Sequence, residues 1–402
     1  MERISSQYNE DRWLVLYFIF ITLSVFTMPL WLSLLFLSTL IFWVPTPYKL
    51  LFVSYLIIIS AFFNSGIDIT GDLSTYSAVF SNLNKISYVE EFSSEPLLLF
   101  LYGICNQLGL DFKSTLFMQS LCMNIVLLYA LCTYFGFNGL KFFPAIILYP
   151  QFIQQGLFLS RQSLSTLFFI ALVAQSRLLT RHYFRNLFWA GLALLAHSSA
   201  VMNIGIFLLS YKVKRFVKWY FVLPVVIVAV LFPFNDAFVT QHLVSLANIT
   251  GGLDRKIGFY MNNVPDGEAL SIMSLLMLPL HATFLILSVV LIKSRKDKSD
   301  IDPFSIIFIC LYCVVLFLRE YSLLPTRLGM PIVAFSAFFF YNITTLYKQY
   351  LKNIHLMESL FFIFICLTFI RFLYTNDYGD YAITLFSKQS LISYPIDILF
   401  RR

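Results

Sequence analysis

The chain has 402 residues, of which 59% are hydrophobic and 12% charged, and it carries a formal net charge of +7 at a mean hydropathy of +0.79. Soluble domains hold about 25% charged residues, so this composition excludes a water-soluble enzyme. It also excludes a nucleic-acid module, because the basic residues sit in short loops between apolar runs and form no stripe on a soluble surface.

Measured against a hydrocarbon core roughly 30 Å thick, the apolar runs predict helices near Trp13–Met28, Pro29–Val44, Tyr48–Phe63, Pro96–Leu108, Leu116–Phe135, Phe142–Leu159, Gln162–Ala174 and Leu187–Leu209. Further runs follow at Phe216–Pro233, Leu270–Ile292, Phe304–Leu318, Leu328–Leu346 and Ser359–Tyr374. The expected fold is all-α and polytopic, with about 12–14 transmembrane or re-entrant helices. One transmembrane domain is expected over residues 1–402, with polar insertions at about 65–95 and 235–269. No cleavable signal peptide is expected, since the first apolar run leads directly into a second through Pro29.

Basic loops set the orientation. Arg177, Arg181 and Arg185 share one loop, Lys212, Lys214, Arg215 and Lys218 the next, and Lys293, Arg295, Lys296 and Lys298 another; all are expected in the cytoplasm. The acidic insertion with Asp68, Asp72, Glu90, Glu91 and Glu95, and the insertion at 235–269, are expected outside. Strict alternation then fails at two places. Leu187–Leu209 lies between two basic loops, which predicts a helix broken at His197, Ser198 and Ser199. Phe142–Leu159 contains Pro150 followed by Gln151, Gln154 and Gln155, and a break there restores parity and puts Arg161 at the external start of the next helix. Irregular backbone at membrane depth is tolerated where it is buried in protein or lines a wet cavity. An ionisable residue at that depth is a functional candidate, and Arg161 is the foremost one.

The run LSRQSLSTLFFIALVAQSRLLTRHYFRNLFWAGLALLAHSSAVMNI, with an Arg opening a helix, a basic loop and a helix ending in Ala-His before small residues, resembles the central signature of the EpsG and Wzy-type bacterial polysaccharide polymerases. Upstream, GDLSTYSAVF, with Asp72 four residues before Tyr76, and EPLLLFLYGICNQLGL are similar to that family in order and spacing; together the matches run from Gly66 to Ile204. The chain departs from the family where an Arg often precedes Gly-x-Asp, since Asn64 and Ser65 stand there and Gly71 is followed directly by Asp72.

The resemblance implies a GT-C-like polymerase architecture and the polymerisation of undecaprenyl-diphosphate-linked repeat units, of O-antigen or related exopolysaccharide, at the outer face of the bacterial inner membrane. Donor and acceptor are both lipid-linked glycans, and flippase and chain-length regulator proteins are expected partners beside the bilayer. Arg161 is the first choice for stabilising the leaving diphosphate, since a guanidinium meets phosphate oxygens in bidentate geometry. Arg319 and Arg327 are second choices. His197 is the first choice of base for the acceptor hydroxyl and Asp72 the alternative; Gln162, Tyr76 and Arg255 complete the expected substrate contacts. Simpler readings stand beside these. Arg161 would anchor a helix at the lipid interface, His197 would merely break one, Asp72 would cap the helix over 73–80, and Tyr76 would be an interfacial aromatic.

Other chemistry finds little support. Cys105, Cys122, Cys132, Cys310, Cys313 and Cys366 all fall in apolar runs, and His182, His197, His242, His281 and His355 lack metal-ligand spacing. No metal and no cofactor is expected, and no Walker-type loop is present. A lipid-linked-oligosaccharide flippase is the alternative from another class, because broken helices also mark transport paths; an O-antigen ligase, expected to carry a larger late loop than 235–269, is the third.

Overall fold

The computed structural model describes residues 19, 21–23, 27–44, 46–67, 69, 72–83, 96–176, 183–213, 219–231, 285–286, 288–290, 303–317, 329–333, 338–341, 344 and 353–374. Among them the chain is helical without a strand, as lipid demands of a backbone that must satisfy its own polar groups. Three described helices are long and apolar enough to cross a membrane, over Tyr48–Ser65, Phe112–Lys141 and His355–Leu373. The expected helix at Trp13–Met28 and that at Leu270–Ile292 lie mostly outside the described residues, and the insertion at 235–269 entirely so.

The chain forms two compact units, residues 1–159 with 360–402, and residues 160–359. In the first, α1 (Leu30–Trp43) and α2 (Thr46–Ser65) form a hairpin, and α2 packs along α5 (Phe112–Phe135). Between them in sequence come α3 (Asp72–Ser81) and α4 (Pro96–Gln107). Local chemistry sets these boundaries. Proline opens α4, where its missing N–H is one the helix leaves unbonded anyway. Gly109 ends that helix at φ +70°, while the Leu110 N–H donates back to the Cys105 carbonyl at 3.0 Å, a Schellman closure that a side chain with Cβ disfavours. Asp111 then caps α5 by accepting the Ser114 N–H at 2.7 Å. A cluster of Phe80, Tyr102 and Phe112, with ring centroids 5.7 to 6.1 Å apart, ties α3, α4 and α5 together.

After α5 a 3₁₀ helix (Gly136–Lys141) folds back against it. A Cβ on Gly139 would lie 2.5 Å from the Leu131 carbonyl oxygen, so only glycine permits this approach. The expected break before Pro150 is present: α6 (Phe143–Ile147) ends, Leu148 and Tyr149 leave the helix, and α7 (Pro150–Phe158) restarts on the proline. The last described helix, α14 (Ile354–Tyr374), contributes its part from Leu360 onward, with Phe362 against Phe42 at 4.6 Å and Phe369 against Phe63 at 5.9 Å.

The second unit contains α8 (Ser160–Ser176), α9 (Tyr183–Ala196), α10 (Ala200–Val213), α11 (Trp219–Leu231), α12 (Pro303–Phe317) and the short α13 (Met330–Val333). Helix α8 packs against α9, α10 and α13, and α12 packs against α10 and α11. Exposed Phe184, Leu187 and Phe188 give α9 an apolar outer face, the surface a helix turns toward lipid.

Candidate functional site

Helix α8 is buried on every side. From Ser160 to Gln175, Arg161 is the single position that is not buried. A helix this enclosed would be expected to be apolar all round, yet Gln162, Ser163, Ser165 and Thr166 are all buried in its first two turns. The cation therefore stands at the mouth of a polar first turn. Its charge also sits at the helix N-terminus, where the backbone dipole disfavours a cation by about 0.3–1 kcal/mol and favours an anion. An anion held there would be drawn by both the guanidinium and the helix end.

Helices α8 and α9 are joined by residues 177–182 and pack extensively along their length, the arrangement of an antiparallel helical hairpin. Phe168 stacks on Trp189 with centroids 5.9 Å apart, which sets the register. Seven residues back from Phe168 is Arg161, and seven residues on from Trp189 is Ala196; each step covers about 10 Å. Arg161 and His197 therefore lie at the same end of the hairpin, although 36 positions separate them in sequence.

At that end the expected break in the 187–209 run is present. Helix α9 stops at Ala196, His197 to Ser199 turn, and α10 starts at Ala200. The turn is closed by backbone bonds from Ala200 N–H to the His197 carbonyl and from Val201 N–H to the Ser198 carbonyl, both at 3.1 Å. The imidazole takes part. Its Nδ1 accepts the Ser199 backbone N–H at 3.0 Å and lies 2.8 Å from the Ser199 hydroxyl. One polar residue here escaped the sequence reading: Asn203, buried one turn into α10 with its Oδ1 lacking a hydrogen-bond partner among the described residues. A polar residue recurring within a turn of a helix break was the available signal.

The remaining expected residues fall elsewhere. Gln162 follows Arg161 but is buried, at 4% exposure. In the first unit, Asp72 is the first residue of α3 and Tyr76 is buried one turn later. Arg255, Arg319 and Arg327 lie outside the described residues. The first unit also holds a polar seam that hydropathy concealed: Asn64 on α2 donates to Ser120 at 3.2 Å, and Gln119 on α5 donates to the Gly156 carbonyl at 3.3 Å, with Asn124 buried one turn further on.

A protein-family model, that of the EpsG family, matches residues 46–390, most of the chain. Comparison with curated proteins and comparison with solved structures each returned no match.

Proposed function

The chain belongs to the EpsG family, a Wzy-like polysaccharide polymerase family, and from that premise we propose that it polymerises repeat units carried on undecaprenyl diphosphate at the outer face of the bacterial inner membrane. The growing glycan is transferred from its lipid-diphosphate carrier onto the non-reducing end of a new lipid-linked unit. The bond between the anomeric carbon and the phosphate oxygen breaks, and the diphosphate leaves with the electron pair. The acceptor oxygen forms the new bond to that carbon, and the acceptor's hydroxyl proton passes to a base, for which Asp72 and His197 are the two candidates. Donor and acceptor are lipid-linked glycans, a flippase supplies them, and a chain-length regulator acts on the product.

The observation that carries this reading is Arg161. A charged group in the one position from Ser160 to Gln175 that is not buried, at the positive end of the helix and level with a polar helix break, suits an anionic substrate group. Charge developing on the leaving diphosphate is met by a fixed bidentate donor without reorganisation, and such stabilisation is commonly the largest single contribution to catalysis. Arginine supplies that charge without a metal ion.

The test is the surface polysaccharide of a strain lacking the gene, separated on a gel. Single repeat units still exported to the surface support the polymerase. An absence of surface glycan marks a flippase instead, and long chains retained on the lipid carrier mark a ligase.

A further inference from the structure

We propose that α4 (Pro96–Gln107) does not cross the membrane but lies along its outer interface, with the exposed side chains of Phe100, Ile104 and Leu108 seated in lipid, so that the chain crosses inward through α5. This placement does not depend on the polymerase reading above.

Side-chain contacts fix the levels within the first unit. Asn64, next to the last residue of α2, bonds to Ser120 on α5. Lys49, near the start of α2, feels the charge of Lys141 at the end of the 3₁₀ helix that follows α5. The two helices are therefore antiparallel, and α5 starts at the end of α2 that leads into the 65–95 insertion, the end expected outside. Phe112 opens α5 eight residues before Ser120, which puts it about 12 Å beyond the level of Asn64. Phe80 on α3 and Tyr102 in the middle of α4 both pack on Phe112. The middle of α4 is thus held at that outer level.

Helix length excludes a crossing from there. With 12 residues, α4 is about 18 Å long against a hydrocarbon core of roughly 30 Å. Neither end is more than six residues, about 9 Å, from Tyr102, so α4 reaches the far face in no orientation. Its side chains divide as an interfacial helix requires. Leu98, Tyr102 and Cys105 are buried, while Phe100 at 66%, Ile104 at 40% and Leu108 at 69% exposure recur at steps of four on the opposite side. Asn106, Gln107 and Asp111 are exposed at one end, and Glu95 precedes the other. The apolar face of such a helix sinks about 5–10 Å into the boundary between headgroups and acyl chains, with the polar groups left above. An apolar stripe bounded by polar residues, at this level of a membrane protein, fits lipid.

The placement sets the next two crossings. Helix α5 runs inward, so the 3₁₀ helix and Lys141 lie in the cytoplasm beside Lys49, where basic residues belong. The chain then returns outward through α6 and α7. Gly156 on α7 is bonded to Gln119, the neighbour of Ser120, and the stretch from Lys141 to Gly156 covers about 22 Å. Helix α3 packs on α7 as well as on α4 and α5. The break before Pro150 kinks a crossing segment instead of turning it back.

Three measurements on the full-length protein test this. In right-side-out membrane vesicles, an impermeant amine reagent applied to wild-type protein is expected to modify Lys113 from outside, and Lys49 and Lys141 only once the vesicles are opened; the reverse pattern overturns the proposal. In a cysteine-free background, Leu110→Cys is expected to be labelled from outside by an impermeant thiol reagent and Asn138→Cys to be protected. Any other division of these two positions overturns the proposal, and protection of 110 with labelling of 138 means that α4 crosses. Nitroxides on Ile104→Cys and Leu108→Cys in nanodiscs report depth through collision with oxygen and with a water-soluble nickel chelate. Both are expected about 5–10 Å below the headgroups. A nitroxide at 104 near the bilayer centre, about 15 Å deep, overturns the interfacial seat. So does one reached freely by nickel, which marks water, or by neither reagent, which marks a covering protein. None of these readouts involves glycan extension, so they decide the placement even if the polymerase reading fails.

Discussion

The side-chain amide of Gln119 donates to the carbonyl oxygen of Gly156 at 3.3 Å, joining α5 to α7 across 37 positions of sequence. Gln119 is 1% exposed, and its Oε1 lacks a hydrogen-bond partner among the described residues. Interhelical hydrogen bonds in membrane proteins average about 0.6 kcal/mol and reach about 1.7. Because this amide is only half satisfied, the lower end applies: removing it also removes an unpaired buried acceptor. Gln119→Met is expected to destabilise by about 0.6 kcal/mol, and Gln119→Glu by more, since it turns an acceptor toward the carbonyl. Reversible unfolding in mixed micelles ranks the two; a Glu variant as stable as the Met variant would contradict the bond.

Gly139 carries a steric prediction. A Cβ there would meet the Leu131 carbonyl oxygen at 2.5 Å, whereas at Gly191 in the middle of α9 it would meet nothing within 4 Å. Gly139→Ala is expected to cost about 1–3 kcal/mol, as overpacking does. Gly191→Ala should gain up to about 1 kcal/mol from helix propensity. Thermal midpoints of the two variants in detergent should move in opposite directions.

Arg161→Ala is expected to abolish chain extension while the protein still inserts. Losing a donor to developing charge costs about 2.7–4 kcal/mol, or 10² to 10³ in kcat. Arg161→Lys should recover little, because an ammonium lacks the planar fork. Wild-type chain lengths in the Ala variant at matched expression would refute the assignment.

Asp72→Asn preserves shape and removes the carboxylate. If Asp72 takes the acceptor proton, turnover should fall by about 10² to 10⁴ with donor binding retained. If Asp72 only begins α3, the loss is a helix-terminus effect of about 0.3–1 kcal/mol on stability, with kcat intact. Single-turnover measurement beside an unfolding curve separates the outcomes.

Topology is checked with single cysteines in a cysteine-free background and a membrane-impermeant thiol reagent. Positions 181 and 296 are expected to be protected from outside and position 262 to be labelled. Labelling of position 181 or 296 in intact cells would reverse the orientation.

The positions at which this chain stops and restarts its helices were legible in the sequence, because the causes are local. Pro150 lacks an N–H and begins a helix, and the His-Ser-Ser run offers polar groups that compete with helix bonding. The polytopic class and the place of Arg161 at a helix start follow from the same kind of reasoning. The surroundings of those groups were decided only in three dimensions. In lipid, both the buried and the lipid-facing sides of a helix are apolar, so hydropathy does not report which neighbour a side chain meets. Hence the burial of α8 from Gln162 to Gln175 with its polar first turns, the shared level of Arg161 and His197, and the bond from Gln119 to Gly156 appear only when helices pack. The contacts of Ser199 with the His197 ring needed the same information, since residue type states what an imidazole is able to do and not which of its nitrogens a turn engages.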